Sequence, residues 1–556
     1  MEKIDAQDSI QADDVEVQHV ESYESFYSHS TFARLKTYLV IAAAGLTFAA
    51  QGFAIGGAGL LARDITAVTG DPSNANWFTI IIGLGAVALI APVSQAADYW
   101  GRKVFMVFFS LMGVVGCIIV SRAQSPAATL AGFAVLSLGF GTQALGGTIC
   151  SEVLPREIRS YGSAAYQSSA SLGVLVGVVS AGALVRHNNP AGFRTYFYIT
   201  AGIAPEVPRI LTETPKARLG RILLVVSGLL LVCLGLSWSL NPYKWSNAHV
   251  SAPFAVGLAL LIALVIYSWR IKPDGLINHG LFQHRNFALV LVVIFAEGMA
   301  FFCANNFQPL TTLVFFTTDP LYIALHNAVA MGTSIVFACL AGLYSKKTKT
   351  VRSLLTVSFI FFTIYGIVMA TVTPRTPGAA FWAYQIFQGA GLGICLMASV
   401  VAAQFATPLD LISTATGLLL TVRNFGGTVG IAVFSALLNS GMSSLGTNIA
   451  AKTLAMGLPP TSLAALIGNL VAGNYTALAQ VPGVTPEIIG AASEILLESY
   501  KFGLRNGWAF TAAASAIAVV CCLFLVDPKA EFNAHIDAPV FDRAAAASDE
   551  QTHGKP

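Results

Sequence analysis

Along most of the chain, long apolar runs alternate with short polar breaks, and the breaks carry the charges. A helix needs roughly 20 mainly apolar residues to cross the hydrocarbon layer of a membrane. Runs of that kind lie at 37–60, 77–97, 104–122, 127–150, 163–185, 220–240, 251–269, 286–309, 320–344, 352–372, 378–405, 413–438 and 507–526, and a weaker one at 195–208 makes fourteen candidate spans. The pattern predicts an all-α polytopic membrane protein. The weak sixth span is physically short, because the stretch between Arg194 and Arg209 contains Pro205, Glu206 and Pro208. At about 1.5 Å per residue it falls about ten ångströms short of the core. Either Thr195 to Val207 forms a kinked, thinned span or, as expected here, the helix is truncated, lost in part through deletion or a misspliced gene model.

Lys and Arg concentrate in short cytoplasmic loops, and here they gather in alternate breaks. Arg102 with Lys103, Arg156 with Arg159, Arg209 with Lys216 and Arg218, Arg270 with Lys272 and Arg285, and Lys346, Lys347, Lys349 with Arg352 all fall on one side. That side is expected to be cytoplasmic. The opposite breaks hold the isolated Arg122, Lys244 and Arg375 and a long external loop, 440–506, so both termini are expected in the cytosol. The chain is thereby divided into a disordered tail at 1–34, an N-terminal bundle at 35–215, two additional spans within 216–270, a linker at 271–286, a C-terminal bundle at 287–527 and a second tail at 528–556. The linker is either a short helix on the membrane surface, with Leu276, Ile277, Leu281 and Phe282 inward, or an ordinary polar loop.

Composition agrees with a membrane setting: 55% of the residues are hydrophobic, 11% are charged, and mean hydropathy is +0.68. A net charge of +3, dispersed in small clusters, offers no basic face to a nucleic acid. All eight cysteines lie in or beside apolar runs, where thiols behave as small hydrophobes, so no disulfide framework is expected. No nucleophile elbow, phosphate-binding loop, paired histidines or Cys-x-x-Cys spacing stands in the sequence, so neither an enzyme nor a cofactor is expected. Asn474, Tyr475 and Thr476 form a sequon for glycosylation in the external loop.

Ionisable groups deep in a membrane are rare, since each costs roughly 2.5 kcal/mol or more at the bilayer centre unless paired or wetted. Glu297, in the middle of the ninth span, and Arg423, three turns into the thirteenth, meet that description. They are either a proton-coupling site or a static buried pair. Gln143, Asn305, Asn306, Gln385 and Gln388 lie at similar depth and are candidates to line a cavity, although a polar side chain there also serves to join helices. Pairs such as Phe301 with Phe302 and Phe381 with Trp382 either stack on a flat cargo or face lipid.

Between the second and third spans, Asp98, Gly101, Arg102 and Lys103 make a tight charged turn suited to latching one conformation shut. The run resembles the loop signature of the major facilitator superfamily, with Ser94 and Tyr99 departing from it. The short basic loop from Gly342 to Lys349 stands at the same ordinal place in the second half, the trace of an internal repeat. Gly173, Gly177 and Gly182 in the fifth span match part of an antiporter motif, and close helix packing accounts for them equally well. Asn241 to Asn247, Phe282 to Phe287 and Val481 to Ile489 look like the fungal trichothecene efflux pump family. That resemblance implies a major facilitator fold of two six-helix bundles plus two extra helices, working as a monomer in the plasma membrane. It implies a proton antiporter exporting a toxin or secondary metabolite; a siderophore-iron importer and an inactive or sensor-like homologue are the alternatives.

Overall fold

The computed structural model describes residues 31–70, 77–186, 189–203, 231–232, 247–270, 279–408, 411–472, 475–478 and 480–533. The first half contains α1 (Thr31–Leu60), α2 (Ala62–Thr69), α3 (Trp77–Trp100), α4 (Arg102–Arg122), α5 (Pro126–Leu138), α6 (Gln143–Glu152), α7 (Arg159–Val185) and α8 (Gly192–Ile203). After α9 (Ala248–Arg270), the second half contains α10 (Arg285–Phe315), α11 (Pro320–Thr348), α12 (Arg352–Ala370), α13 (Gly378–Phe405) and α14 (Ile412–Met442). It continues through α15 (Leu445–Ala455), α16 (Leu463–Ala472) and α17 (Tyr475–Leu478) to α18 (Pro486–Leu523). A turn of 3-10 helix at Gly139–Thr142 joins α5 and α6 into one crossing. Among the described residues, 11 helical stretches are long and apolar enough to span a membrane.

Capping chemistry fixes where several of these helices start. Ser125, Asp319 and Thr485 each accept a backbone N–H of the first turn, and each is followed by a proline whose missing N–H is no loss there. Outward faces stay oily: Leu111 on α4 and Ile517 on α18 are 51% and 66% exposed, positions that belong against lipid tails rather than water.

Small residues then set which helices touch. Gly173 and Gly177 of α7 abut the carbonyls of Ala49 and Phe53 on α1. The second half repeats this arrangement, with Gly298 of α10 against the Arg423 carbonyl, and Gly426 and Gly430 of α14 against Phe295 and Met299. The two halves meet along two matching seams, α3 with α14 and α7 with α11. Gly417 leaves room for Ser94 on the first seam, and Gly182 faces Leu321 and Ala324 on the second. This is the two-fold internal repeat that the paired short loops foretell.

One expectation changes. The segment 440–506 is largely helical rather than a loop: α14 runs on to Met442, α15 to α17 come next, and α18 begins at Pro486 instead of 507. Its apolar side chains form a separate cluster around Leu445, Ile449, Leu466, Leu470 and Ile488. These helices differ from the long apolar runs because α15 to α17 are too short to span, while the first half of α18 is interrupted by Glu487, Glu494, Glu498 and Lys501. The linker is described only from His279 onward, where a 3-10 turn at His279–Phe282 buries Leu281 and leaves Phe282 exposed; Leu276 and Ile277 lie outside the described residues. The span placed at 195–208 is represented by α8, which covers 12 residues, or about 18 Å at the helical rise, and residues from 204 lie outside the described part. The span at 220–240, apart from residues 231–232, and both tails beyond 31 and 533 lie outside it too.

Candidate functional site

Glu297 and Arg423 face each other across the α10–α14 contact. Arg423 Nε donates to Glu297 Oε2 at 2.6 Å and Nη2 donates to Oε1 at 3.0 Å, a two-pronged fork between buried groups. Close approach is what permits it: a side chain at Gly298 would collide with the Arg423 carbonyl, and one at Gly426 with that of Phe295. The guanidinium also lies 4.7 Å from the Phe301 ring and 5.7 Å from Phe302, whose negative faces attract it. Of these four side chains only Phe302 is half-exposed.

Phe302 is so because it lines a cavity on the α3–α14 seam. It is a small recess with walls of Thr79, Ile80, Gly83, Phe302, Asn424, Thr428, Ile431 and Ala432. Both halves contribute, and every lining residue is uncharged. Thr79 also donates to Asn306 Oδ1 at 3.3 Å, tying α3 to α10 beside it.

At the basic face the turn between α3 and α4 makes polar contacts with both halves. Gly101 has φ 83, a left-handed conformation that favours glycine, and it turns the chain so that Arg102 points back into the seam. The Arg102 guanidinium makes a fork to Glu152 of α6 and donates to Ser413 Oγ at 3.1 Å, while Asp98 accepts from Thr414 Oγ1 at 3.2 Å. Asp98 stands 3.9 Å from Arg102, so the acid that matters most to that guanidinium is Glu152. Lys103 is half-buried beside them. Sequence reading identified Asp98, Gly101 and Arg102 but missed Glu152, Ser413 and Thr414. An acid at the end of a span, such as Glu152, was the available signal.

The remaining candidates are dispersed. Asn305 accepts from Asn327 Nδ2 at 3.3 Å, joining α10 to α11. Gln385 and Gln388 are buried on α13, Gln385 donating to its own helix at Phe381. Gln143 is buried on α6, and its backbone carbonyl accepts from Tyr166 at 2.8 Å. Gly173, Gly177 and Gly182 serve as contact points for α1 and α11. Trp382 stacks on His326 at 3.7 Å instead of facing lipid alone. Asn474 lies outside the described residues.

Comparison with known proteins gives these features a context. The family model described as fungal trichothecene efflux pump matches residues 209–554, and that of the major facilitator superfamily matches residues 37–205. Among curated relatives, an acurin A biosynthesis cluster transporter of Aspergillus aculeatus is 23% identical over 501 residues, covering 86% of this chain and 88% of its own. The trichothecene efflux pump of Fusarium sporotrichioides is 21% identical over 514 residues, covering 86% and 84%. Among solved structures, the human organic anion transporter MFSD10 superposes with a TM-score of 0.51 at 13% identity, covering 89% of this chain and all of its own. The proton:xylose symporter XylE gives 0.50 at 13% identity, covering 87% and 95%. These last two likenesses are of fold.

Proposed function

The chain belongs to the fungal trichothecene efflux pump family and has the major facilitator fold, and from that premise we propose that it exports a toxin or other secondary metabolite in exchange for protons. The reading places it in the plasma membrane as a monomer, with its basic face and both termini in the cytosol. Cargo occupies the cavity on the α3–α14 seam, and the two bundles rock about it so that each face opens in turn.

The observation that carries proton coupling is the buried fork between Glu297 and Arg423 beside that cavity. An intact fork needs an ionised carboxylate, whose two oxygens accept both donors. A proton on Glu297 converts one oxygen to a hydroxyl and frees the guanidinium, which then leans on the faces of Phe301 and Phe302. Phe302 is shared between the guanidinium and the cavity wall. Proton binding and cargo binding thus act on the same ring, and by linkage each alters the affinity for the other. Exchange results where the protonated state prefers one orientation of the bundles and the cargo-loaded state the other.

The test is a Glu297→Gln variant brought to the plasma membrane in wild-type amount. It is expected to lose pH-dependent, uphill export. Undiminished export with the same pH dependence would refute the coupling role.

A further inference from the structure

The α3–α14 seam and the α7–α11 seam are equivalent by the internal repeat, but at the basic face they are closed by different means. The first has its own acids, Asp98 and Glu152, around Arg102. On the second, the end of α11 carries Lys346, Lys347 and Lys349, and from Gly342 to Arg352 there is no acid. Yet this seam is closed as well: Ser160 Oγ donates to the Gly342 carbonyl at 3.3 Å, and beside it Ser163 Oγ donates to the carbonyl of Met397 on α13 at 3.4 Å.

What lies across it is the segment after α18, Val526 to Asn533. Its root is fastened to the C-terminal bundle. Asn286 exchanges two hydrogen bonds with the Val526 backbone at 2.7 and 3.0 Å, and Asp527 Oδ1 accepts from the N–H groups of Val351 and Arg352 at 2.8 and 2.9 Å, capping α12. Lys349 Nζ then donates to the Phe532 carbonyl at 3.1 Å. The Phe532 ring, 3% exposed, stands edge-on to Phe405 at 4.8 Å, while Arg159 of α7 lies 5.3 Å from that same Phe405 ring. The far end grips the N-terminal bundle: Glu531 Oε2 accepts from Arg156 at 2.5 Å, and the Asn533 carbonyl accepts from the Glu157 N–H at 2.7 Å. One short segment is hydrogen-bonded to both bundles and buries an aromatic ring between them.

We infer that Val526–Asn533 is a strap that holds the α7–α11 seam closed at the basic face and must release its grip on Arg156 and Glu157 each time that face opens. Glu531 supplies to this seam the acid that the α11–α12 loop lacks. Only the outer attachments need to break in the cycle, because the root at Asn286, Val351 and Arg352 moves with the C-terminal bundle. The inference rests on the alternating-access reading, since a strap across a seam has meaning only where the two bundles part.

The test requires no cargo. Cys339, which is exposed, and Cys521, which is half-exposed, are replaced by Ser in the full chain, and Ser163→Cys places a thiol in the second turn of α7, buried against α13 of the other bundle beside the closed seam. Membrane vesicles presenting the basic face are treated with a membrane-impermeant maleimide, and the parent lacking Ser163→Cys is subtracted. Glu531→Gln is expected to raise the labelling rate about threefold to fivefold, as fits a partly exposed ion pair. Phe532→Ala, which removes the buried ring, is expected to raise it about tenfold or more. Arg156→Glu is expected to raise it as Glu531→Gln does, and the exchanged pair Arg156→Glu with Glu531→Arg to restore the original rate. If Arg102→Ala speeds labelling while every strap variant leaves it unchanged, the strap is overturned and alternating access stands. A rise in Arg156→Glu that Glu531→Arg does not reverse also overturns it. If no variant speeds labelling, Arg102→Ala included, the strap and the rocking of the bundles fall together.

Discussion

Glu297→Gln and Arg423→Met, singly and together, put a number on the buried fork. Glu297 is 0% exposed and Arg423 6%, so water cannot take over for a lost partner. Removing one member of a buried pair strands the other, at a cost of about 3–5 kcal/mol. The two single variants should not be equal, because a lone carboxyl can neutralise itself with a proton and a guanidinium cannot. Glu297→Gln leaves the guanidinium with one amide oxygen and two aromatic faces, and we expect a loss of about 3 kcal/mol; Arg423→Met should lose about 2 kcal/mol. With both changes no charge remains, and the double variant should come back to within about 1 kcal/mol of wild type. The resulting coupling energy is about 4–5 kcal/mol, well above what independent sites show. Thermal unfolding in detergent reads this: taking about 2–4 °C per kcal/mol for a unit the size of the C-terminal bundle, Glu297→Gln should melt roughly 6–12 °C early, with recovery in the double variant. Losses that simply add, with the double variant the least stable of the three, would refute the claim that these residues work as one unit.

Other consequences of the structure are open to simpler measurement. Gly101→Ala forces a side chain into a left-handed conformation, φ 83, and should destabilise by about 1–2 kcal/mol in the same melting assay. Arg102→Lys keeps the charge but loses the fork to Glu152 and the bond to Ser413, and should increase maleimide access to a thiol on the basic-face side of the α3–α14 seam. Gly298→Ala drives a methyl group into the Arg423 carbonyl and should lower stability by about 1–3 kcal/mol, whereas Gly490→Ala on α18, with open space around it, should leave melting unchanged or raise it slightly.

Much of the architecture was legible because the membrane imposes a simple rule on the sequence. The span read as 378–405 is α13 to the residue, and those read at 320–344 and 413–438 differ from α11 and α14 only at their ends. Polar ends and helix caps mark such boundaries locally. The glycines of α7 that meet α1 were visible as a motif, but which carbonyl each one meets depends on the fold. Glu297 and Arg423 were conspicuous as charges inside oil, whereas their mutual fork spans 126 positions and leaves no local trace. The same holds for Asp98 with Thr414, 316 positions apart, and for Arg156 with Glu531. The helices of 440–506 were missed for other reasons: α15, α16 and α17 are only 11, 10 and 4 residues long, and the first half of α18 is interrupted by Glu487, Glu494, Glu498 and Lys501, so a test for continuous apolar length passes over them.

Proton-driven export is tested most directly in inside-out plasma-membrane vesicles from cells expressing the chain, with the lumen made acidic and a metabolite extract of the source fungus supplied outside. The account predicts that one or more metabolites accumulate in the lumen only while the gradient lasts, drain when a protonophore collapses it, and fail to accumulate with Glu297→Gln. Accumulation that survives collapse of the gradient, or that Glu297→Gln leaves intact, would contradict it.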